Sequence, residues 1–172
     1  TQDVYGEPLI ELSSPTISES SKNCKRALDV LFSTACLAVL SIPMLVIAIM
    51  VKRDSKGPVF YSQTRIGYRQ KPFRIYKFRT MRNDAEVDGP QLSSPNDRRV
   101  TPLGRWMRKY RIDELPQFWN VLKGDMSIVG PRPERAFFIE QIVKKAPYYT
   151  LLHQVRPGIT SWGICLLYTS DA

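Results

Sequence analysis

Two carboxylates stand side by side in Arg111-Ile112-Asp113-Glu114-Leu115-Pro116-Gln117, followed by Phe118-Trp119-Asn120-Val121-Leu122-Lys123-Gly124-Asp125. Arg105, Arg108, Lys109 and Arg111 precede the pair, and Arg132 and Arg135 follow it. Adjacent acids ringed by guanidinium groups suit phosphate and metal chemistry, because arginine grips phosphate oxygens in pairs. The spacing also predicts how the acids are held. Asp113 is a good N-cap, Pro116 fits only a first helical turn, and Gly124 is a natural stop. A short helix ending at Gly124, with both acids at its positive end, is expected. The same letters also fit a capped helix with ordinary surface ion pairs.

Other cations fall at positions that would fix them. Phe73-Arg74-Ile75-Tyr76-Lys77-Phe78-Arg79 alternates aromatics with charge. On one strand of a hairpin this presents a stiff positive row, although a solvated strand face reads the same way. In Val129-Gly130-Pro131-Arg132-Pro133-Glu134 two prolines hold the backbone around Arg132, which suits it to grip a phosphate in one geometry. The alternative there is a rigid turn with an exposed arginine.

These residues need a frame. The chain has 172 residues, enough for one domain with a core and a small appendage. Its formal net charge of +9 predicts an anionic partner: nucleic acid, anionic lipid or a phosphorylated small molecule. Nucleic acid is not expected, because the cations are spread among prolines and acids and form no recognised binding module. Cys24, Cys36 and Cys165 make no metal spacing, and His153 is the single histidine, which excludes an ordinary zinc site. Three scattered cysteines fit a reducing compartment.

Residues 1–22 read as a polar linker, with Val4, Leu9, Ile10 and Leu12 able to add one short strand. From Ala27 to Val51 the only charge is Asp29, so residues 23–56 form a membrane segment of bilayer length. Lys22, Lys25 and Arg26 flank it on one side, and Lys52, Arg53 and Lys56 on the other. Positive charge at both ends favours both on the cytoplasmic face. Ser41-Ile42-Pro43 falls near the middle, where proline bends or breaks a helix. A re-entrant helical hairpin is therefore expected, each arm reaching roughly 18–22 Å; the alternative is a kinked single-pass helix.

Residues 57–163 then make one domain, which carries the acid pair and the cations around it. Strands over 59–66 and 72–79 form a β-hairpin, and 83–97 is a long loop. Thr101 caps a basic, aromatic helix from Pro102 to about Tyr110, suited to a headgroup surface or to burial of Trp106. A second amphipathic helix covers 135–146, with Phe137, Phe138, Ile139, Ile142 and Val143 as core. The fold class is α+β and membrane-associated: a membrane helix-hairpin, a small β-hairpin and several amphipathic interfacial helices.

With these motifs in order, the chain resembles the monotopic phosphoglycosyl transferases, the bacterial sugar transferases that initiate polysaccharide assembly. The likeness is nearly full length. It rests on Lys25-Arg26-x-x-Asp29, the apolar run with Pro43, Gly57-Pro58-Val59-Phe60, Tyr76-Lys77-Phe78-Arg79-Thr80-Met81-Arg82 and Asn96-Asp97-x-Arg99-Val100-Thr101. Its strongest parts are Asp113-Glu114-Leu115-Pro116-Gln117, Lys123-Gly124-Asp125-Met126-Ser127, Val129-Gly130-Pro131-Arg132-Pro133 and Arg156-Pro157-Gly158-Ile159-Thr160.

The resemblance implies transfer of a phosphosugar from a nucleoside-diphosphate sugar, a UDP-hexose in the exopolysaccharide branch that Glu134 suggests, to polyprenyl (undecaprenyl) phosphate. It implies Asp113 as the nucleophile that forms an aspartyl-phosphosugar intermediate and Glu114 as a Mg²⁺ ligand. Lys77, Arg79, Arg132 and Arg156 follow as phosphate clamps, with the re-entrant bend at Ser41 and Pro43. It places the enzyme in the bacterial inner membrane with its catalytic domain facing the cytoplasm, in contact with membrane lipid; the oligomeric state is open, a homo-oligomer included. Tyr5-Gly6-x-Pro8-Leu9-Ile10 resembles the linker of larger members with further N-terminal membrane helices. After Trp162-Gly163 the pattern is lost, so 164–172 reads as a truncated or atypical tail. A catalytically impaired scaffold of the same fold is the alternative that this departure would favour.

Overall fold

The computed structural model describes residues 3–4, 7–8, 19–82 and 97–161. A small antiparallel pair, β1 (Asp3–Val4) with β2 (Glu7–Pro8), comes first, in the register Asp3↔Pro8. Of the strand residues expected here only Val4 is described. Leu9, Ile10, Leu12 and most of the linker, positions 83–96 of the expected loop, and the 164–172 tail lie outside the described residues.

The apolar run and its flanks form one helix, α1 (Glu19–Asp54). At 1.5 Å per residue it is about 54 Å long. By length and composition it is apolar enough to cross a membrane, with a mean hydropathy of 2.6 over its best window. The sequence predicts two arms broken at Ser41–Pro43, whereas the structure has a single helical element with Pro43 inside it. Proline removes one donor, and a long apolar helix tolerates that loss. The Ser41 hydroxyl is satisfied within the helix, donating to the Ala38 carbonyl at 2.8 Å.

Both ends of α1 dock on the rest of the chain. Near the start, Arg26 donates to the Val121 and Leu122 carbonyls at 2.6 and 2.9 Å. Asp29 is buried, and accepts from the Ser127 hydroxyl at 2.8 Å and the Ile128 amide at 3.2 Å, with Lys25 beside both Asp29 and Ser127. Near the end, Val51 packs with Phe78 and Met107 in a fully buried cluster, edged by Met44, Ile47, Leu103, Ile112 and Leu115. Between these anchors, residues 34–43 include no buried side chain, and Val39 and Ile42 are 76% and 74% exposed.

The expected hairpin forms: β3 (Phe60–Ile66) pairs antiparallel with β4 (Pro72–Phe78), from Phe60↔Phe78 to Ile66↔Pro72. Next comes α2 (Pro102–Lys109), whose Thr101 hydroxyl accepts from the Gly104 amide at 2.9 Å, the cap its sequence predicts. Then α3 (Gln117–Lys123) stops at Gly124, whose φ of 96° is a left-handed conformation that glycine adopts without strain. The second core cluster, Ile75, Val121 and Met126, ties β4 to α3 and to a parallel pair, β5 (Ser127–Val129) with β6 (Gly158–Thr160).

Between β5 and β6 in sequence lies α4 (Ala136–Lys145), and here the core expectation is corrected. None of its residues is buried, and Phe137 is 51% exposed. Phe138, Ile139, Ile142 and Val143 are half-buried, partly by contact with the 3-10 segment Pro147–Gln154. An apolar stripe marks a face to be covered but does not say what covers it.

Gly104 packs so close to the Thr80 carbonyl that a Cβ there would overlap the backbone. Gly104→Ala must push α2 away from the end of β4. We expect it to lower stability by about 1–3 kcal/mol, read from thermal unfolding in detergent.

Candidate active site

The acid pair is positioned by a chain reversal. After α2 the backbone turns at Arg111, which takes a left-handed conformation (φ 57°), and Ile112–Glu114 form a 3-10 turn. Ile112 and Leu115 enter the cluster around Phe78 and Met107. Asp113 and Glu114, both buried, line a cavity of about 670 Å³. Asp113 is therefore not the N-cap of α3. That position belongs to Pro116, and the acids lie in the turn before it. The 3-10 turn, closed by the Leu115 amide on the Ile112 carbonyl, takes up the residues that the sequence assigned to the helix start.

The cavity walls come from the hairpin with Pro58 before it, the residues after β4, Arg99, α2 with its following turn, and the stretch from Arg132 into the start of α4. Lys77, on β4, donates to Glu114 Oε1 at 2.7 Å. Arg111 Nη1 lies 3.5 Å and Arg132 Nη2 4.0 Å from the same oxygen. Arg108 also lines the cavity and donates from Nε to the Thr80 hydroxyl at 2.9 Å.

The environment drives the two acids apart. Burial pushes the Asp113 carboxyl above its ordinary range; Lys77 and Arg108 oppose this, while the neighbouring Glu114 charge adds to it. Burial would raise Glu114 as well. Lys77, by charge and hydrogen bond, with Arg132 and Arg111, outweighs it and holds Glu114 below the ordinary glutamate range. Neighbouring groups separated in this way can serve different chemical roles. Asp113 Oδ1 is buried and accepts no hydrogen bond from the described residues, which leaves its lone pairs for another partner.

Of the residues predicted from sequence, the structure gathers Asp113, Glu114, Lys77, Arg79 and Arg132 around one cavity. Arg79 is buried and directed elsewhere in part: its Nη2 donates to the Ser55 carbonyl and hydroxyl at 2.6 and 2.9 Å, at the end of α1. Arg156 is not among the cavity's lining residues. Its Nε donates to the Gly124 carbonyl at 3.1 Å, and its guanidinium lies over the Tyr68 ring. Ser41 and Pro43 stay exposed in the middle of α1. Sequence reasoning missed Arg65, Thr80 and Glu134 as cavity residues. For Arg65 the signal is the hairpin itself: the register Tyr61↔Lys77 with strand alternation puts Gln63 and Arg65 on the face that carries Lys77.

The sequence pattern described as bacterial sugar transferase matches residues 20–171. The chain belongs to the bacterial sugar transferase family. It is 46% identical over 149 residues to the UDP-N-acetylgalactosamine-undecaprenyl-phosphate N-acetylgalactosaminephosphotransferase of Aeromonas hydrophila, covering 86% of this chain and 35% of the relative. It is 42% identical to the UDP-glucose:undecaprenyl-phosphate glucose-1-phosphate transferase of Escherichia coli K12, covering 94% and 35%. A putative undecaprenyl-phosphate N-acetylgalactosaminyl 1-phosphate transferase of Bacillus subtilis is 43% identical, covering 81% of this chain and 80% of the relative. This sugar transferase chain thus spans about a third of the length of the first two.

The family resemblance implies Mg²⁺, and the acid pair fits it. Among the described residues no group of three or more His, Cys, Asp or Glu converges on a point. Mg²⁺ ordinarily takes one or two carboxylates and completes its shell with substrate phosphates and water. Glu114, beside the free oxygen of Asp113, offers such a partial site.

Removing Lys77 leaves Glu114 buried with its burial penalty less opposed. In the wild type the lowered Glu114 value stabilises the fold above the ordinary glutamate range, and that contribution is lost as pH falls through the folded-state value. In Lys77→Met the value rises, so a penalty at neutral pH is relieved on acidification. We expect the variant to be less stable by about 3 kcal/mol at neutral pH, with the gap narrowing as pH falls towards about 4, in thermal melts of the two proteins.

Proposed function

We propose that this chain is the catalytic part of a phosphoglycosyl transferase, moving a sugar phosphate from a UDP-hexose to undecaprenyl phosphate at the start of exopolysaccharide or glycan assembly. The observation that carries the reading is the buried Asp113 oxygen, unbonded among the described residues, beside the Lys77–Glu114 pair in a cavity walled by arginines. The activities of the Aeromonas and Escherichia relatives, one on UDP-N-acetylgalactosamine and one on UDP-glucose, support a UDP-sugar donor and undecaprenyl phosphate as acceptor.

In this reading the Asp113 carboxylate attacks the sugar-linked phosphorus. An Asp113 oxygen–phosphorus bond forms, the diphosphate bridge breaks, and UMP leaves with the bridging oxygen and its electron pair. An oxygen of the lipid phosphate then attacks the same phosphorus. The aspartyl bond breaks, Asp113 returns as a carboxylate, and the product is a lipid diphosphate sugar. Covalent capture divides one difficult transfer into two easier ones. Lys77 and Arg132 lie where they can hold the charged phosphoryl oxygens, and Arg108 stands on the Asp113 side. Glu114 would hold Mg²⁺, which when bound neutralises charge on the donor's diphosphate.

We further propose that α1 is re-entrant, with the catalytic domain on the cytoplasmic face of the inner membrane. Asp29 and Val51, at opposite ends of the apolar run, both pack on the same catalytic body. Two ends bound to one body lie on one side of a bilayer. The exposed middle, residues 34–43, is then the part that enters lipid.

Asp113→Asn should abolish UMP release from UDP-sugar and undecaprenyl phosphate, and Glu114→Gln should reduce it by about a hundredfold or more. Mass spectrometry of the wild type with donor alone should find a phosphosugar adduct at Asp113; full turnover in Asp113→Asn would refute the assignment. For topology, Cys24 and an introduced Lys56→Cys should both react with an impermeant maleimide in inside-out vesicles and neither in spheroplasts. Labelling of the two from opposite sides would refute re-entry.

A further inference from the structure

The catalytic reading gives no part to Glu134, which lines the cavity together with Arg65 and Arg132. Its placement is tightly determined. The Ile66 amide donates to the Glu134 carbonyl at 3.0 Å. Arg65 Nη1 donates to Glu134 Oε2 at 3.0 Å and to the Pro133 carbonyl at 3.3 Å. The end of β3 therefore holds both the backbone and the side chain of Glu134. The Arg65 side chain is only 19% exposed, so this ion pair is well shielded from water.

Arg132 is held differently. Its Nε lies 3.8 Å from Glu134 Oε1, and its Nη2 lies 4.0 Å from Glu114 Oε1. Both distances exceed a hydrogen bond, so charge holds the guanidinium between two carboxylates without using up its donors. A carboxylate fixed on one side draws Arg132 back from Glu114. Without that pull Arg132 would close on Glu114, the proposed metal ligand, and withdraw from an incoming phosphate.

We propose that Glu134 is a positioning residue that acts through Arg132, with Arg65 as its anchor, and that together they keep Arg132 poised to grip the diphosphate of the donor. This rests on the proposed function for the identity of the ligand. It asks only that a nucleoside diphosphate bind in this cavity.

The test is a double-mutant cycle on the whole chain in detergent, with UDP as the probe and its Kd as the readout. The four proteins are wild type, Glu134→Gln, Arg132→Ala and the double variant. Glu134→Gln should weaken UDP binding by about tenfold in the wild-type background and by less than about twofold when Arg132 is already alanine. Glu134→Asp, which keeps the charge, should recover most of the loss. An equal loss in both backgrounds would overturn the proposal, because Glu134 would then act by another route or only on the fold. So would unchanged affinity in Glu134→Gln, no recovery in Glu134→Asp, or no UDP binding by the wild type. The same four proteins assayed for UMP release separate the two ideas: the predicted cycle in UDP affinity with no wild-type transfer refutes the transferase reading and supports this one.

Discussion

The hydrogen-bonded ion pair between Lys77 and Glu114 is the contact on which the site depends. Two adjacent carboxylates cannot be buried together without compensation, because each loses its hydration and repels the other. A single ammonium at 2.7 Å from Glu114, delivered by β4, makes burial of the pair tolerable. Glu114 then stays ionised while Asp113, without a comparable hydrogen bond, takes the larger effect of desolvation. The hairpin brings that cation to the turn after α2, and its first strand brings Arg65 to the same cavity.

Everything behind the pair serves to keep strand and turn in register. Asn120, fully buried on α3, receives the Tyr76 amide on its side-chain oxygen and donates from Nδ2 to the Arg74 carbonyl, at 3.1 and 2.7 Å. It thus binds β4 one residue away from Lys77. Thr80 does a similar service on the other side, its hydroxyl holding Arg108 and its carbonyl meeting the glycine surface of α2. Buried polar groups with all their partners present fix a geometry more narrowly than apolar packing does.

Much of this was legible in the sequence, and what was not has physical causes. The hairpin, the Thr101 cap and the Gly124 stop are local, set by turn chemistry within a few residues. That Asp113, Glu114, Lys77 and Arg132 share one site is implied by the family resemblance; residue types alone leave each of them an ordinary structural reading. What the sequence does not show is contacts between residues distant in the chain. Arg79 lines the cavity, as the family resemblance implies, and also closes the carboxyl end of α1, 24 positions earlier. Arg156 lies against Gly124 and Tyr68, a placement decided by the parallel pairing of β5 with β6. The start of α3 was misplaced because Asp113 and Pro116 satisfy the rules for a helix entry equally well within a 3-10 turn. In the apolar run the helical hydrogen bonding continues past Pro43, because one missing amide is a small loss in a 36-residue helix, so re-entry needs a bend within one helical element and not a break between two arms.

The anchoring of Asp29 constrains the order in which the protein can be made. Its hydroxyl partner, Ser127, lies 98 positions further along the chain. During synthesis the apolar helix emerges while that partner has yet to be translated, so the aspartate must wait in water or among lipid headgroups. Docking of the start of α1 is therefore a late, long-range event, completed only after the chain has run past Ser127.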